Sequence, residues 1–414
     1  MRNLSALLAC VVLVAPGGEV LAQGFSSGST GADGALAFDP AAGTVVFDPQ
    51  TFVPPLDPDG DNVYHFTTIT VPAGVTVRLA SGVLPEARPV VWLASGAVTI
   101  DGVLDLNGQD GHSNASTPLP AVPGAGGYSG APGGTGAKAP QAGNGPGGGR
   151  TAPGKHGGGA GHAVSGGETA STGAAGGTYG NEFLLPLVGG SGGAGGAFSG
   201  FSNGSGGGAG GGAILIASST SIAVNGAITA RGGNSGVCTQ SIGDFCGGAG
   251  SGGAIRLVAP SIAGSGSLTA TGGPGRSANG GGTGRIRLEA FTLSLTAMNP
   301  APSVASPGLV FLPATAPAVR VVRVGGVDVT ASPTGSFVTA DVAIDAAAPV
   351  AIEIEARNVP PGTIVQLTLD PETGSPVTVN TTPLQGTAAL STASATATFP
   401  HGFTRLFVKA SWTP

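Results

Sequence analysis

A repeat of about 21 residues constrains the fold of this chain more than any other feature. The stretch GAILIASSTSIAVNGAITARGG (212–233) aligns with GAIRLVAPSIAGSGSLTATGG (253–273), so that the apolar positions and the closing Gly-Gly pairs coincide. The aligned apolar pairs are Ile214 with Ile255, Ile222 with Ile262, and Ile228 with Leu268. A third copy covers 90–108, and a fourth begins at Gly284 and fades after its first strand. Internal repeats of this length are typical of solenoids.

Apolar residues alternate with period two within each copy, which predicts β-strands. The runs are rich in β-branched residues and are interrupted after four or five residues by Ser-Ser, Pro-Ser or Gly. Each copy begins with the same face, so equivalent strands are expected to stack in parallel, about 4.8 Å apart. The fold class predicted is all-β, namely a parallel β-helix with three short strands in each coil.

The copies are separated by unequal intervals, 41 residues from Ile214 to Ile255 and 31 from Ile255 to Ile286, and the difference lies in Gly-rich segments. One corner of the coil is therefore expected to carry loops of variable length. The longest is a Gly-rich insertion at 109–211, and from 124 to 212 Gly supplies 37 of 89 residues. It is either a flexible low-complexity segment or an ordered bundle of extended, polyproline-II-like segments packed through Gly.

The flanking regions differ in composition from the repeats. A signal peptide is predicted at 1–22 and an unassigned N-terminal segment at 23–63. The β-helix-like domain spans 64–300, and the alternating run at 64–80 caps it or forms its first coils. Residues 315–414 have alternating runs separated by turn signals, which predicts an Ig-like or fibronectin-like β-sandwich.

The N-terminus predicts export. An apolar run from Leu4 to Val14 precedes a small-residue site, so cleavage is expected after Ala22. A lipobox ending at Cys10 is the alternative. No later run reaches the about 20 apolar residues that span a bilayer. The protein is therefore expected to be secreted or on the outer cell surface, with the periplasm as a further location. A net charge of −6 without a basic run argues against nucleic acid as a partner.

Cys238 and Cys246 are the cysteines that remain after signal removal. Because they lie eight positions apart in an exported chain, they are predicted to form a local disulfide. Two free thiols are the alternative.

The chain resembles glycine-rich exported proteins of Gram-negative bacteria, most of which have no assigned function. The resemblance covers roughly 64–290 and depends on an ordered set of motifs: ITVPAGVTV, VTIDGVLDLNG, LPLVGGSGGAGG, GGGAGGGAILIAS, GAGSGGAIRLVAPSIAGSGSLTATGG and GGTGRIRLEA. In composition the Gly-rich part also looks like phage tail adhesins with packed polyglycine helices. Neither resemblance implies catalytic residues.

The acidic cluster DGVLDLNGQDGH (101–112) is the best candidate for catalysis. Two outward carboxylates on adjoining strands, Asp101 and Asp105, could act as acid and base in glycoside hydrolysis, with Asp110 and His112 at the mouth of the long loop. The aligned positions in the other copies carry ordinary solvent-face residues, so a solvated surface is the favoured interpretation. By the same alignment Arg256 is expected to point outward from a coil.

Metal sites and cofactors are not expected. Asp57, Asp59 and Asp61 imitate the start of a calcium loop, but an EF-hand requires Gly at position six and Glu at twelve, where this chain has Asn62 and Thr68. A turn is therefore favoured there. His156 and His162 could share a metal, but no Cys or carboxylate lies close to them in sequence.

A non-enzymatic exported protein is the leading functional hypothesis. It would present Gly-rich loops for adhesion or surface structure, with an extracellular glycan or surface component as a partner. The alternative is a carbohydrate-binding or polysaccharide-cleaving β-helix, either a lyase or a glycosidase. The Asn-Thr-Asp triplet, the adjacent Asp-Asp pair and the Gly-His-Gly of polygalacturonase-like β-helices are missing, and GRIRL is explained as the first strand of a coil.

Overall fold

The computed structural model describes residues 24–57, 60–84, 88–114, 118–200, 202–238, 244–313, 315–330, 333, 340–345, 347–371 and 376–412. The described residues form an all-β protein without an α-helix, and one 3-10 helix lies at Pro49–Thr51. The predicted signal peptide lies outside the described residues.

Strands in the first three quarters of the chain are short. In chain order they are β1 (Gly34–Ala37), β2 (Thr44–Val46), β3 (Val63–Val71), β4 (Thr76–Arg78), β5 (Val90–Ala94), β6 (Val98–Ile100), β7 (Val103–Asp105), β8 (Ala213–Ser218), β9 (Ser221–Val224), β10 (Ala227–Thr229), β11 (Ala254–Val258), β12 (Ser261–Ala263), β13 (Ser267–Thr269), β14 (Arg285–Glu289), β15 (Thr292–Leu293), β16 (Ala297–Asn299) and β17 (Ser303–Ala305).

Most of these strands lie in three parallel rows, and each copy of the repeat gives one strand to each row. The first row contains β5, β8, β11 and β14, and the second contains β6, β9, β12 and β15. β3 pairs with both β5 and β6, so it joins these two rows into one eleven-stranded sheet that curls into a half-barrel. The third row is a six-stranded sheet with the order β16-β13-β10-β7-β4-β2.

The pairing register agrees with the sequence alignment. Ile214 lies beside Ile255, Ile222 beside Ile262, and Ile228 beside Leu268. The fourth copy, which fades in sequence, continues in the structure: Leu268 of β13 pairs with Met298 of β16. Because alternate residues of each strand face the same way, the aligned apolar side chains form one buried core inside the rows.

Strands of the first row are buried on both faces. Their second face carries Leu93, Leu215 and Val258, and these pack against Phe25 and Leu187, which come from segments outside the rows. Because both faces are covered, β5, β8 and β11 are buried along their whole length.

The connections from the third row to the first row form a glycine-rich bundle made of segments within 106–212, 230–253 and 270–284. All three connections leave the same corner of the coil, as the unequal repeat intervals predict. The described residues of the insertion form an ordered bundle of extended segments, the second of the two alternatives that its composition left open. Its extended segments are joined by backbone hydrogen bonds between segments.

Segment 206–211 shows how the bundle is packed. Its amides donate to three neighbouring segments with a period of three residues: Gly206 and Ala209 to 109–112, Gly207 and Gly210 to 128–131, and Gly208 and Gly211 to 248–251. Its carbonyls accept from 190–193, 233–236 and Gly124. A period of three residues, with every hydrogen bond made to another segment of the chain and none within the segment, is that of polyproline II.

The C-terminal part forms two antiparallel sheets. Their strands are β18 (Ala318–Val324), β19 (Val327–Asp328), β20 (Val350–Arg357), β21 (Ile364–Pro371), β22 (Val377–Pro383), β23 (Gln385–Gly386), β24 (Ser391–Ala397) and β25 (Thr404–Ala410). The sheet orders are β19-β18-β20-β24-β23 and β22-β21-β25. Ile352, Ile354, Val365 and Leu367 contribute to one apolar cluster that both sheets share.

Candidate functional site

The two outward carboxylates of the acidic cluster bond to neighbouring coils. Asp101 Oδ1 accepts a hydrogen bond from Asn225 Nδ2 at 2.8 Å. Asp105 Oδ2 forms an ion pair with Arg78 Nη1 at 2.6 Å, and its Oδ1 accepts from the amide of Asn107. Both carboxylates therefore bridge adjacent coils, which fits the interpretation as ordinary surface positions.

Asp110 and His112 lie farther along the chain, where Asp110 is exposed and His112 is half-buried. Asp110 accepts from both the amide and the side chain of Asn234, at 2.8 and 3.1 Å. His112 contributes its backbone carbonyl, which accepts from the amide of Gly206. Among the described residues no hydrogen bond joins any two of Asp101, Asp105, Asp110 and His112.

In the acidic loop, the described residues Asp57 and 60–62 are joined by hydrogen bonds. The carboxylate of Asp57 accepts from the amides of Asp61 and Asn62 at 3.0 and 2.8 Å, and burial raises its pKa. Asp61 accepts from the amide of Val63, whereas Asp59 lies outside the described residues. The described part of the chain has no group of three or more His, Cys, Asp or Glu side chains that could hold a metal ion.

His156 and His162 have separate environments. His156 Nδ1 accepts from the amide of Cys246, and its ring packs edge-on against Phe245. His162 Nδ1 lies 2.8 Å from the carbonyl of Gly252, and its ring stacks on Tyr179 at 4.5 Å. The two rings therefore have no common contact that would suggest a shared metal.

The predicted disulfide between Cys238 and Cys246 is confirmed. The two Cα atoms lie 5.3 Å apart, and both cysteines are buried. The amide of Cys246 donates to His156 Nδ1 at 2.9 Å, which joins the disulfide to the segment around His156.

Arg256 corrects a prediction. Its side chain points away from the main core, as the alternation requires, but it is only 1% exposed instead of lying in solvent. Its guanidinium pairs with Glu289 at 2.9 Å and donates to the carbonyls of Leu309 and Val310. Glu289 also accepts from Arg287 Nε at 2.8 Å and from the amide of Gly308 at 3.0 Å. This buried cluster fastens the segment after β17 onto the first row.

A buried polar cluster inside the bundle had no signal in the sequence. Burial lowers the pKa of His162 from 6.5 to about 4, and burial likewise raises the pKa of Tyr179. Tyr179 donates to the carbonyl of Gly189 and accepts from Ser191 Oγ at 3.0 Å. Isolated His, Tyr and Ser in Gly-rich sequence have no periodicity from which their meeting could be predicted.

A distal groove of about 390 Å³ lies at the end of the bundle far from the coils. It is formed by neighbouring turns, which are joined by the bond from the Ala197 amide to the Lys155 carbonyl at 3.0 Å. The lining residues are Thr135, Gly136, Ala137, Lys138, Ala139, Pro140, Pro153, Gly154, Ala197 and Phe198. The groove therefore combines one ammonium group, one aromatic ring and several backbone groups.

A lateral cleft of about 650 Å³ lies between the bundle and the C-terminal sheets. Asp370 at its base pairs with Arg150 of the bundle and with Arg405 of β25. Arg405 also donates to the carbonyls of Gly143 and Gly145, so it holds the C-terminal sheets against the bundle. Lys155 and Glu168 lie farther along the cleft.

No family model, curated protein or solved structure matches this chain. Within the described ranges, no helix has the length and apolar character needed to cross a membrane.

Proposed function

We propose that this chain is an exported structural or adhesive protein in which a parallel β-helix carries a rigid glycine-rich bundle, followed by an Ig-like or fibronectin-like β-sandwich. The in-register parallel rows support the β-helix, and the shared core of the two antiparallel sheets supports the sandwich. Coils of this kind stack into an elongated support on which loops from one corner are held in fixed positions.

The single observation that carries the proposal is the three-residue hydrogen-bond period of the bundle. A loop of this composition loses much backbone entropy when it is ordered, and here each segment is held by bonds to several neighbours. The far turns are therefore presented by a rigid body. Rigid presentation of loops favours binding, because less entropy is lost on contact with a partner.

Export is supported by the sequence of the N-terminus and by the disulfide. Structural disulfides persist in oxidising compartments. We expect the secreted protein to begin at Gln23, and N-terminal mass spectrometry of the protein recovered from culture medium or the cell surface measures this.

The distal groove is the proposed contact point for an extracellular glycan or surface component. The test is a glycan array probed with the full chain and with the double variant Lys138→Gln/Phe198→Ala. We expect the double variant to lose binding, while Lys409→Gln, which removes a lysine from β25, binds as the parent chain does.

Two outcomes would overturn the proposal. One is equal binding by the parent chain and the groove variant. The other is release of reducing sugars or unsaturated products from polysaccharides that disappears in Asp101→Asn/Asp105→Asn, because it would assign the acidic cluster to catalysis.

A further inference from the structure

The segment 173–179 forms an edge of the glycine-rich bundle beside the lateral cleft, and its amides follow the three-residue period. The amides of Gly173, Gly176 and Tyr179 donate to His156, Gly159 and His162 at 2.7, 2.8 and 3.0 Å. These three bonds form one of the three directions of a polyproline-II turn. A second direction is taken up by Ala175, whose amide donates to Glu168 Oε2 at 2.5 Å.

The third direction is open. Ala174 and Gly177 follow each other by three residues, both are exposed, and both line the lateral cleft. Their amides donate to no atom of the described residues. The nearby amides of Gly173, Gly176 and Tyr179 bond to a neighbouring segment, so the two exposed amides form an edge to which a further extended segment can bond.

Gly177 differs from the Gly residues inside the bundle. A Cβ at Gly176 would lie 1.8 Å from the carbonyl oxygen of Gly147, whereas a Cβ at Gly177 would meet nothing within 4 Å. The fold therefore requires Gly at 176 for internal packing but leaves the space above Gly177 free. A chain that approached the Gly177 amide as closely as the bundle segments approach one another would occupy that space.

The charges of the cleft are balanced. Its charged lining residues are Arg150, Lys155, Glu168 and Asp370, which carry two positive and two negative charges. Arg150 is already paired with Asp370. Such a lining has no excess charge for a polyanion and suits an uncharged backbone.

We propose that the lateral cleft binds an extended, glycine-rich peptide of another protein in the polyproline-II conformation. Two of its carbonyls, three residues and about 9 Å apart along the peptide, accept hydrogen bonds from the amides of Ala174 and Gly177. The peptide is glycine-rich because a Cβ directed at the edge would meet the backbone, as it would inside the bundle. This inference concerns a different surface from the distal groove and does not depend on the adhesive function.

The experiment uses the full chain and a labelled nonapeptide, GSGGGAGGG, which has the sequence of residues 204–212. Fluorescence anisotropy measures binding, and amide hydrogen exchange by NMR measures protection at Ala174 and Gly177. We expect saturable binding, protection of both amides, and at least a tenfold loss of affinity in Gly177→Val. The matched control is Gly82→Val, because a Cβ at Gly82 also meets nothing within 4 Å.

Several outcomes would overturn the proposal. These are no binding at millimolar peptide, equal binding by Gly177→Val and Gly82→Val, or protection of amides other than Ala174 and Gly177. Self-association of the parent chain in sedimentation velocity that Gly177→Val abolishes would show that the cleft receives a second copy instead. The groove variant Lys138→Gln/Phe198→Ala is expected to bind the peptide normally, which separates failure here from failure of the adhesive function.

Discussion

Replacement of Gly210 by Ala tests whether the bundle is held by direct backbone contact. A Cβ at Gly210 would lie 1.8 Å from the carbonyl oxygen of Gly190, and real Cβ atoms keep at least 3.0 Å. The two segments would therefore have to separate by about 1.2 Å, the difference between these distances. That shift breaks the bond from the Gly190 amide to Gly211 at 2.8 Å and strains the bond from the Gly210 amide to Tyr128 at 2.9 Å.

Each buried backbone group left without a partner costs about 1–3 kcal/mol. We therefore expect Gly210→Ala to lower the free energy of unfolding by at least about 3 kcal/mol. A Cβ at Gly82 meets nothing within 4 Å, so Gly82→Ala is expected to change the free energy of unfolding by no more than about 1 kcal/mol.

Urea unfolding followed by tryptophan fluorescence measures both variants. Trp92 is fully buried in the core of the rows, and Trp412 is exposed, so Trp412→Phe leaves one core probe. The reasoning is refuted if the free energies of unfolding of Gly210→Ala and Gly82→Ala differ by no more than about 0.5 kcal/mol, the spread of neutral surface changes. That result would show that the bundle segments are not in direct backbone contact at Gly210.

Three further predictions concern buried groups. Glu289→Ala leaves Arg256 buried without its counter-charge and is expected to cost about 3–5 kcal/mol in urea unfolding. Because the pKa of His162 falls from 6.5 to about 4 on folding, stability is full above pH 6.5 and decreases as the pH falls toward 4, by at most about 3 kcal/mol. Urea unfolding between pH 7.5 and 4.5 measures this dependence, and in His162→Phe the loss of stability assigned to His162 should be absent. Cys238→Ser/Cys246→Ser opens the loop and is expected to cost about 2.5 kcal/mol in urea unfolding.

Controls distinguish these effects from general damage. Glu353→Ala removes an exposed partner of Arg323 and should cost less than about 1 kcal/mol. An equal loss in Glu289→Ala and Glu353→Ala would contradict the role given to the buried cluster. A pH dependence unchanged in His162→Phe would contradict its assignment to His162. Reduction of the disulfide should lower the free energy of unfolding of the parent chain and leave that of Cys238→Ser/Cys246→Ser unchanged.

Local alternation was enough to predict the parallel strands of the repeat copies and their register. The pairings of Ile214 with Ile255 and of Ile228 with Leu268 follow from period two and from Gly at the corners, because each coil is in contact with its sequence neighbours. The same reasoning could not follow the fourth copy, where Leu268 meets Met298, since polar and exposed terminal strands lose the apolar pattern. The disulfide was predictable because its two cysteines are close in sequence.

What the sequence could not predict depends on segments that come from far away. Arg256 alternates like a surface residue, yet the backbone carbonyls of Leu309 and Val310 cover it. Nothing periodic links those positions to β11. The open amides of Ala174 and Gly177 were equally hidden, because composition reports that Gly is abundant and not which amide faces which neighbour.

The three-residue hydrogen-bond period of the bundle has a consequence for changes in loop length. In segment 206–211, the amides of Gly206 and Ala209 donate to the same neighbouring segment, so insertion or deletion of three residues keeps every amide directed at its partner segment. A change of one residue rotates the remaining segment by about 120° about its axis and directs every amide at the wrong neighbour. Length variation in such a bundle is therefore quantised, and its loops can lengthen in whole turns while the packing around them is kept.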